Sequence, residues 1–435
     1  MLVSTRWTWQ ERTGGPLYLH RVLDDELDEK SAEFAAISIE GPKGVGKTET
    51  AQRRAHTDYR LDGPAGQVVA ANPQVVLTGE PPILIDEWQR VPATWDVIRR
   101  AVDDGAPPGS YLLAGSASEH GAHTGAGRIL TLRMRPLTLS ERGIDAPTVS
   151  LRRLLGGERP AIEGVTNVRL ENYAHEIVSS GFPATRGLSE AAHEDFFDSY
   201  LQRIVERDFE EMGRLIRRPA TLLRWMNAYA AATASTASLE TIRDAATGGE
   251  GQKPAKTTTQ PYREILQRLF IVDELPAWAP TRNRISRLAM APKHHLADPA
   301  LATSLLGVGV GALLSAEPVG PPSLREGPLL GALFESLVTL SVRVYAQAAR
   351  GRVSHLRTRN GDHEVDLIVE RRDGRILAIE AKLAAVPGDR DVRHLHWLAQ
   401  QIGSDLLDAV VITTGPYAYR RPDQIAVVPA ALLGP

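Results

Sequence analysis

Residues 41–48 read GPKGVGKT and follow the apolar run FAAISI at residues 34–39. A glycine, four residues and then Gly-Lys-Thr form the pattern of a phosphate-binding loop, which joins a buried strand to a helix. We expect the loop glycines to adopt positive φ, so that backbone N–H groups point at a phosphate beside the positive end of the helix. The predicted phosphate-binding residues are Gly41, Pro42, Lys43, Gly44, Val45, Gly46, Lys47 and Thr48.

A second motif, PPILIDEW at residues 81–88, is an apolar strand that ends in Asp86 and Glu87. A buried strand of a parallel sheet rarely ends in adjacent acids unless they have a use. We predict that Lys47 contacts the β- and γ-phosphates and that Thr48 and Asp86 hold Mg²⁺. Glu87 would be the catalytic base that activates water. The sequence therefore predicts an ATP hydrolase with ATP and Mg²⁺ as cofactors.

Two more residues complete the predicted catalytic set. The strand at residues 111–114 leads into GSAS, where Ser116 is a candidate sensor of the γ-phosphate or the attacking water. A serine in an ordinary strand-end turn is the alternative. Arg128 ends the loop HTGAGR and is a candidate arginine finger, in cis or from a neighbouring subunit. A finger from a neighbouring subunit would require a homo-oligomer, and a solvated surface arginine is the alternative.

The length of 435 residues indicates several domains. The apolar fraction of 43% is enough for each domain to have a hydrophobic core. The net charge of −3 offers no argument for nucleic acid or an acidic membrane from the whole chain. The absence of cysteine excludes disulfides, thiolate zinc sites and a cysteine nucleophile. The N-terminus lacks a signal-peptide pattern, and the longest apolar run, residues 301–316, is short of a membrane span. We expect a cytoplasmic protein with no membrane partner.

Four regions follow from the pattern along the chain. Alternating strands and helices predict an α/β domain over residues 1–145, and residues 146–217 read as a linker and a helical lid. Residues 218–298 have the pattern of a winged helix, with residues 270–275 and 288–296 as the wing strands. The stretch 252–293 holds eight bases against three acids, which favours contact with DNA phosphates; a protein-interaction module is the alternative. The bases are Lys253, Lys256, Arg263, Arg268, Arg282, Arg284, Arg287 and Lys293.

The fourth region, residues 299–435, holds a second constellation. The strands EVDLIVE (364–370) and RILAIEAK (375–382) are joined around Gly374, and a three-residue loop would place Asp366 opposite Glu380. Lys382 shares their face, and Glu335 lies on the preceding helix. These are the parts of a metal-dependent phosphodiesterase, with one or two Mg²⁺ on the carboxylates. A half-exposed hairpin with a Glu–Lys salt bridge is the alternative.

The ordered motifs GPKGVGKT, LIDEWQRVP, LLAGSAS, HTGAGR with RMRPLTLSE, HLADPAL and EVDLIVE…IEAKL resemble those of bacterial AAA-type ATPases with a C-terminal domain of unknown function, DUF4143. The resemblance implies an α/β fold with a P-loop AAA-type sheet, a winged-helix middle and a restriction-endonuclease-like C-terminal domain. It implies nuclease-fold positions for Glu335, Asp366, Glu380 and Lys382. We expect an ATPase coupled to DNA binding or processing. The alternative is an ATP-controlled switch or scaffold that acts on a protein partner and carries an inert nuclease-like domain.

Overall fold

The computed structural model describes residues 18–116, 127–216, 218–247, 254–280, 290–315 and 328–435. The first unit is a parallel sheet of five strands, which are in order across the sheet β2 (Thr57–Arg60), β3 (Ile83–Asp86), β4 (Tyr111–Gly115), β1 (Ala36–Glu40) and β5 (Ile129–Arg133). Because β4 lies between β1 and β3, the segments that follow these three strands meet at one carboxyl edge. The elements are α1 (Val22–Ser31), β1 (Ala36–Glu40), α2 (Lys47–Gln52), β2 (Thr57–Arg60), α3 (Pro64–Ala71), β3 (Ile83–Asp86), α4 (Ala93–Asp103), β4 (Tyr111–Gly115) and β5 (Ile129–Arg133).

Both faces of the three central strands, β3, β4 and β1, are buried, as expected for a parallel sheet. Ile37 and Ile39 of β1 point into one core, which also contains Leu27 of α1. Ile83 and Ile85 of β3 point into another. The predicted α/β fold with a parallel sheet is confirmed.

Residues 149–165 are not the linker that the sequence suggested. They form β6 (Val149–Ser150), α5 (Leu151–Gly156) and β7 (Gly164–Val165). β6 pairs with residues 433–434 near the C-terminus, and β7 pairs with residues 417–418. The leucines of α5 are fully buried, because they cover the sheet of the last region. This short segment therefore packs with the C-terminal region, far away in sequence.

The middle of the chain is helical. Its helices are α6 (Leu170–Ser179), α7 (Glu190–Arg203), which continues through a π-helical turn (Ile204–Asp208) into α8 (Phe209–Glu211), then α9 (Pro219–Ala231), α10 (Leu239–Ala245) and α11 (Lys256–Arg268). Two antiparallel bridges follow, Val272 with Leu296 and Leu275 with Lys293. The expected pairing of these two segments is present as isolated bridges, although residues 281–289 lie outside the described parts. The winged-helix assignment stays a prediction.

The last region is a mixed sheet of seven strands in the order β7-β12-β13-β11-β10-β9-β8. Its elements are α12 (Pro299–Leu306), α13 (Val310–Ser315), α14 (Leu329–Ala348), β8 (Arg352–Arg357), β9 (Glu364–Glu370), β10 (Ile376–Ala381), α15 (Asp389–Ile402), β11 (Leu406–Thr413), β12 (Tyr417–Arg420), β13 (Ala426–Pro429) and β14 (Leu433–Gly434). Helix α14 has the length and apolar composition of a membrane span, but 72% of that stretch is buried inside the protein, as in a core helix.

The β9–β10 hairpin has the register that the sequence predicted. Ile376 pairs with Glu370 and Ile379 with Leu367, a register that sets Asp366 opposite Glu380. Gly374 has a φ of 81°, the left-handed conformation expected of the loop glycine. The ladder ends at Ile379, and beyond it the Asp366 carboxylate accepts the N–H of Ala381 at 3.0 Å. The carboxylates therefore lie where the two strands separate.

Candidate functional site

The phosphate-binding loop lies at the carboxyl edge of the first sheet, between β1 and α2. Gly44 and Gly46 have φ values of 83° and 100°, as predicted. Gly41 does not have positive φ, and the expectation for it was wrong. It is required for another reason: a Cβ there would lie 2.2 Å from the Met134 carbonyl oxygen, because β5 runs close to the loop.

Lys47 lies beneath the loop in the structure. Its Nζ donates to the carbonyl oxygens of Gly41 and Pro42, each at 2.9 Å. Burial lowers the pKa of Lys47 to about 8, and the nearby Glu87 and Asp86 carboxylates oppose that effect. The two carbonyl oxygens that hold this buried ammonium are neutral. A bound phosphate would attract the ammonium more strongly, because its oxygens carry full negative charge.

Thr48 and Asp86 face each other across the space between α2 and β3. The threonine hydroxyl donates to the two carboxylate oxygens of Asp86 at 2.9 and 3.1 Å. Burial raises the pKa of Asp86 to about 6, and the adjacent Glu87 adds to the effect, while the Thr48 hydrogen bond opposes it. One hydroxyl and one carboxylate, both oxygen donors, fit the way Mg²⁺ is held beside a nucleotide. These two residues would hold the ion.

Glu87 has the left-handed backbone conformation, with φ 53° and ψ 43°. A glutamate in this region is strained, and such strain often marks functional sites. Its Oε2 accepts the Ser116 hydroxyl at 3.0 Å and also the Gln89 amide. The structure thus brings the predicted base and the predicted sensor into contact, while their roles stay predictions. Gln89, which also donates to Ser116 at 3.2 Å, was missed.

The prediction of Arg128 as a finger in cis is wrong. Arg128 comes one residue before β5, which runs parallel to β1 with Ala36 beside Ile129 and Glu40 beside Arg133. It therefore lies at the opposite edge of the sheet from the phosphate loop, about 16 Å away along the strand. Its guanidinium is exposed and donates to Asp103 at 2.9 Å. A role in a neighbouring subunit stays a prediction.

Arg133, at the other end of β5, lies near the loop instead. Burial lowers its pKa to about 9, and its guanidinium stacks 3.6 Å from the ring centre of Phe270 in the helical middle. Within the described ranges it has no carboxylate partner in a salt bridge. The sequence predicts that Arg133 lies on a strand. It does not predict that Arg133 lies near the phosphate loop, because that position results from the pairing of β5 with β1.

The phosphate loop also contacts the helical middle directly. The Lys43 ammonium lies 2.6 Å from Asp208 and 3.1 Å from Glu211. The Tyr200 hydroxyl donates to the Lys43 carbonyl at 3.1 Å. Asp208 belongs to the π-helical turn, a local irregularity that is frequent at functional sites. We call residues 190–211 the lid, because this continuous helix reaches the loop.

A further junction joins three regions. Asp273 forms salt bridges with Arg135, which follows β5, at 2.8 Å and with Arg343 of α14 at 3.0 Å. Arg343 also donates to the backbone carbonyls of Asp273 and Glu274. The first sheet, the helical middle and the C-terminal region are therefore tied together at one half-buried point.

In the C-terminal region the structure brings all four predicted residues together. Lys382 lies 2.6 Å from Glu380 and 3.6 Å from Asp366. A residue that the sequence did not indicate joins them: the Lys293 ammonium lies 2.8 Å from Glu335, 2.7 Å from Glu364 and 3.0 Å from Asp366. Lys293 is 42 residues from Glu335 and 73 from Asp366, too far for any spacing rule.

Burial and the neighbouring charges shift the pKa values of the carboxylates in this cluster. Burial raises the pKa of Glu335 to about 8, and Asp366 adds to the effect. Burial also raises the pKa of Glu380 well above its usual value. For Asp366 the two lysines overcome burial and lower the pKa. In the described ranges no group of three or more His, Asp or Glu side chains is arranged to hold a metal ion. The residues present do not fit the predicted metal, because Lys293 lies among its ligands.

Two of the eight bases counted for DNA contact are neutralised inside the protein. Arg263 donates to Glu274 at 2.7 Å, and Lys293 is buried among carboxylates. Lys256 is exposed and Arg268 is half-buried on α11. The remaining four, Lys253, Arg282, Arg284 and Arg287, lie outside the described residues. The basic surface that supported DNA binding is therefore smaller than the count suggested.

The part of the chain that holds the phosphate loop and the parallel sheet matches a known protein family, as do the two regions that follow it. Residues 33–142 match the model of an AAA domain, and residues 330–433 match a domain of unknown function, DUF4143. Residues 170–310 match another domain of unknown function, DUF8612. The protein combines an AAA-type ATPase domain with a C-terminal DUF4143 domain, as the motifs predicted.

The similar proteins include two uncharacterized proteins, one from Mycobacterium tuberculosis and one from Mycobacterium bovis. Each is 26% identical over 408 residues, which cover 91% of this chain and 80% of the relative. Among solved structures, a Walker-type ATPase of Pyrococcus abyssi is 14% identical, covering 65% of this chain and 94% of its own, with a TM-score of 0.39. The ORC2 protein of Aeropyrum pernix is 16% identical, covering 71% and 97%, with a TM-score of 0.28.

Proposed function

We propose that the protein is an Mg²⁺-dependent ATP hydrolase whose nucleotide state controls the position of the helical lid. The observation that supports hydrolysis best is the meeting, at one sheet edge, of the Thr48–Asp86 pair and the Glu87–Ser116 pair. A carboxylate held by a hydroxyl beside a phosphate loop has the parts needed to position water.

Each residue has a defined task in this proposal. Bound Mg²⁺ would neutralise charge on the β- and γ-phosphates. Lys47 leaves the carbonyls of Gly41 and Pro42 and contacts phosphate oxygens. Glu87 accepts a proton from the attacking water, and Ser116 keeps the Glu87 carboxylate oriented until the nucleotide arrives.

The lid is the element that would report the nucleotide state. Lys43 belongs to the phosphate loop, yet its ammonium is bound by the lid residues Asp208 and Glu211. A phosphate bound in the loop would be attracted by the same positive charge of Lys43. The lid carboxylates and the phosphate therefore compete for that charge. This observation favours ATP control of the lid, and we propose a protein partner as the target of that switch.

Coupling to DNA is the second candidate, and the surplus of bases over residues 252–293 supports it. Ion pairs inside the protein reduce that surplus, as described above. Cleavage of DNA is not part of this proposal, because the carboxylate cluster of the C-terminal region surrounds Lys293.

The test is ATP turnover by the full chain with Mg²⁺, measured with and without single- and double-stranded DNA at low and high salt. We expect turnover in the wild type and at least about 100-fold less in Glu87→Gln, which should still bind ATP. Equal turnover in the wild type and Glu87→Gln would refute the assignment of the base. Turnover that rises with DNA, and an affinity that falls steeply with salt, would favour the DNA candidate over the switch.

A further inference from the structure

The carboxylate cluster of the DUF4143 region contains a cation that the chain itself supplies. The Lys293 side chain is 1% exposed, and its ammonium contacts three carboxylates at 2.7–3.0 Å. Glu335 comes from α14, and Glu364 and Asp366 come from β9. Three carboxylates from two elements therefore surround one ammonium, and carboxylate oxygens are also the ligands that a divalent ion takes.

Lys293 is held in place by its backbone as well. Its N–H and carbonyl both pair with Leu275, each at 2.9 Å, in the antiparallel bridges that follow α11. Its ammonium therefore enters the cluster from outside the C-terminal sheet, on a segment anchored to the helical middle.

The second ammonium of the cluster is that of Lys382, and with it each of the four carboxylates has a cationic partner. Lys382 lies 2.6 Å from Glu380 and 3.6 Å from Asp366, so that the two lysines contact all four carboxylates between them. Buried carboxylates are stable only when paired in this way. A divalent ion added to this arrangement would meet the Lys293 ammonium at short range and be repelled.

We propose that the Lys293 ammonium takes the place of a divalent metal ion in this cluster, so that the cluster clamps the helical middle onto the DUF4143 region and binds no metal. The proposal is independent of the ATPase site, which lies in another part of the chain.

The first test uses the wild-type protein without nucleotide and measures bound Mn²⁺ by the loss of the free-ion electron paramagnetic resonance signal. Mn²⁺ is the probe because it reports carboxylate sites directly. Asp366→Asn is the comparison, and Glu364→Gln, on the more exposed side of the cluster, replaces it if the first variant does not fold. We expect the same number of bound Mn²⁺ per chain in wild type and variant. One Mn²⁺ fewer in the variant would overturn the proposal.

The second test removes the ammonium. Lys293→Met keeps the length of the side chain and should gain one bound Mn²⁺ per chain, a gain that Lys293→Met/Asp366→Asn should lose. Lys382→Met is the matched control: it removes a lysine from the same cluster but leaves Lys293 in place, and it should gain none. If Lys293→Met melts cooperatively and gains no Mn²⁺, or if Lys382→Met gains as much, Lys293 is not at a cation position and the proposal fails.

Discussion

Replacing Lys43 by alanine should release the lid from the phosphate loop while it keeps the backbone N–H of residue 43, the group through which the loop is predicted to bind phosphate. The Lys43 ammonium is 2.6 Å from Asp208, whose side chain is only 5% exposed, and 3.1 Å from Glu211, which is 48% exposed. After the change, Asp208 keeps one cationic partner among the described residues, the more distant Arg203 at 3.7 Å. A buried carboxylate thus loses its main counter-charge.

The size of the effect follows from these two pairs. A hydrogen bond between charged groups contributes about 1.5–3 kcal/mol when one partner is buried, and the exposed pair with Glu211 adds at most about 1 kcal/mol. We expect Lys43→Ala to lower the free energy of local opening of the lid by roughly 2 kcal/mol. That corresponds to a rise of about 30-fold in amide hydrogen exchange over residues 200–211.

The assay is hydrogen exchange of the nucleotide-free protein in a double-mutant cycle of Lys43→Ala with Asp208→Asn. Arg90→Ala is the control, because Arg90 reaches Glu211 only at 3.8 Å and both side chains are exposed; it should change exchange by less than about threefold. A coupling energy near zero between Lys43 and Asp208 would refute the lid contact. Loss of ATP binding in Lys43→Ala would show that the Lys43 side chain, and not only its backbone, is needed for phosphate binding.

Three other predictions concern the catalytic edge and the acid stability of the fold. Glu87→Gln should bind ATP in a filter assay but lose at least about 100-fold in turnover. In Gly115→Ala the added Cβ would lie 2.6 Å from Nε1 of Trp88, so we expect turnover to fall at least about tenfold with ATP binding retained. Burial alone would raise the pKa of Glu274, but His294 and Arg263 lower it to about 2. This carboxylate therefore stabilises the fold above its unfolded pKa of about 4.3 and loses roughly 3 kcal/mol as pH falls to about 2; unfolding of Glu274→Gln should lack this acid-dependent step.

The elements that the sequence predicted correctly are those whose signal is local. The phosphate loop depends on glycines a few residues apart, and Gly44 and Gly46 have the backbone conformation expected of them. The β9–β10 register depends on a three-residue loop and a period of two, which together set Asp366 opposite Glu380. In both cases neighbouring residues determine the geometry.

The errors concern contacts between distant parts of the chain. Residues 149–165 read as a linker because two-residue strands have no periodicity, and only the C-terminal sheet gives them partners. Arg128 ends a glycine-containing loop, and the sequence therefore suggested an arginine finger. Its distance from the phosphate loop depends on the parallel pairing of β5 with β1, which the sequence does not show. The contacts of Lys293 could not be predicted from the sequence. It is one of eight bases over residues 252–293, and its carboxylate partners are 42 to 73 residues away.

The unequal strength of the interfaces indicates which part of the protein moves with the nucleotide. Coupling between a ligand and a conformational change is typically about 1–3 kcal/mol. Breaking the Lys293 clamp would expose a buried ammonium and three carboxylates, which costs about 3–5 kcal/mol or more. The Lys43 contacts with the lid are only partly buried, and their cost is within what ATP can supply. We therefore expect ATP to displace the lid while the rest of the helical middle stays joined to the DUF4143 region through the Lys293 cluster and the Asp273–Arg343 pair.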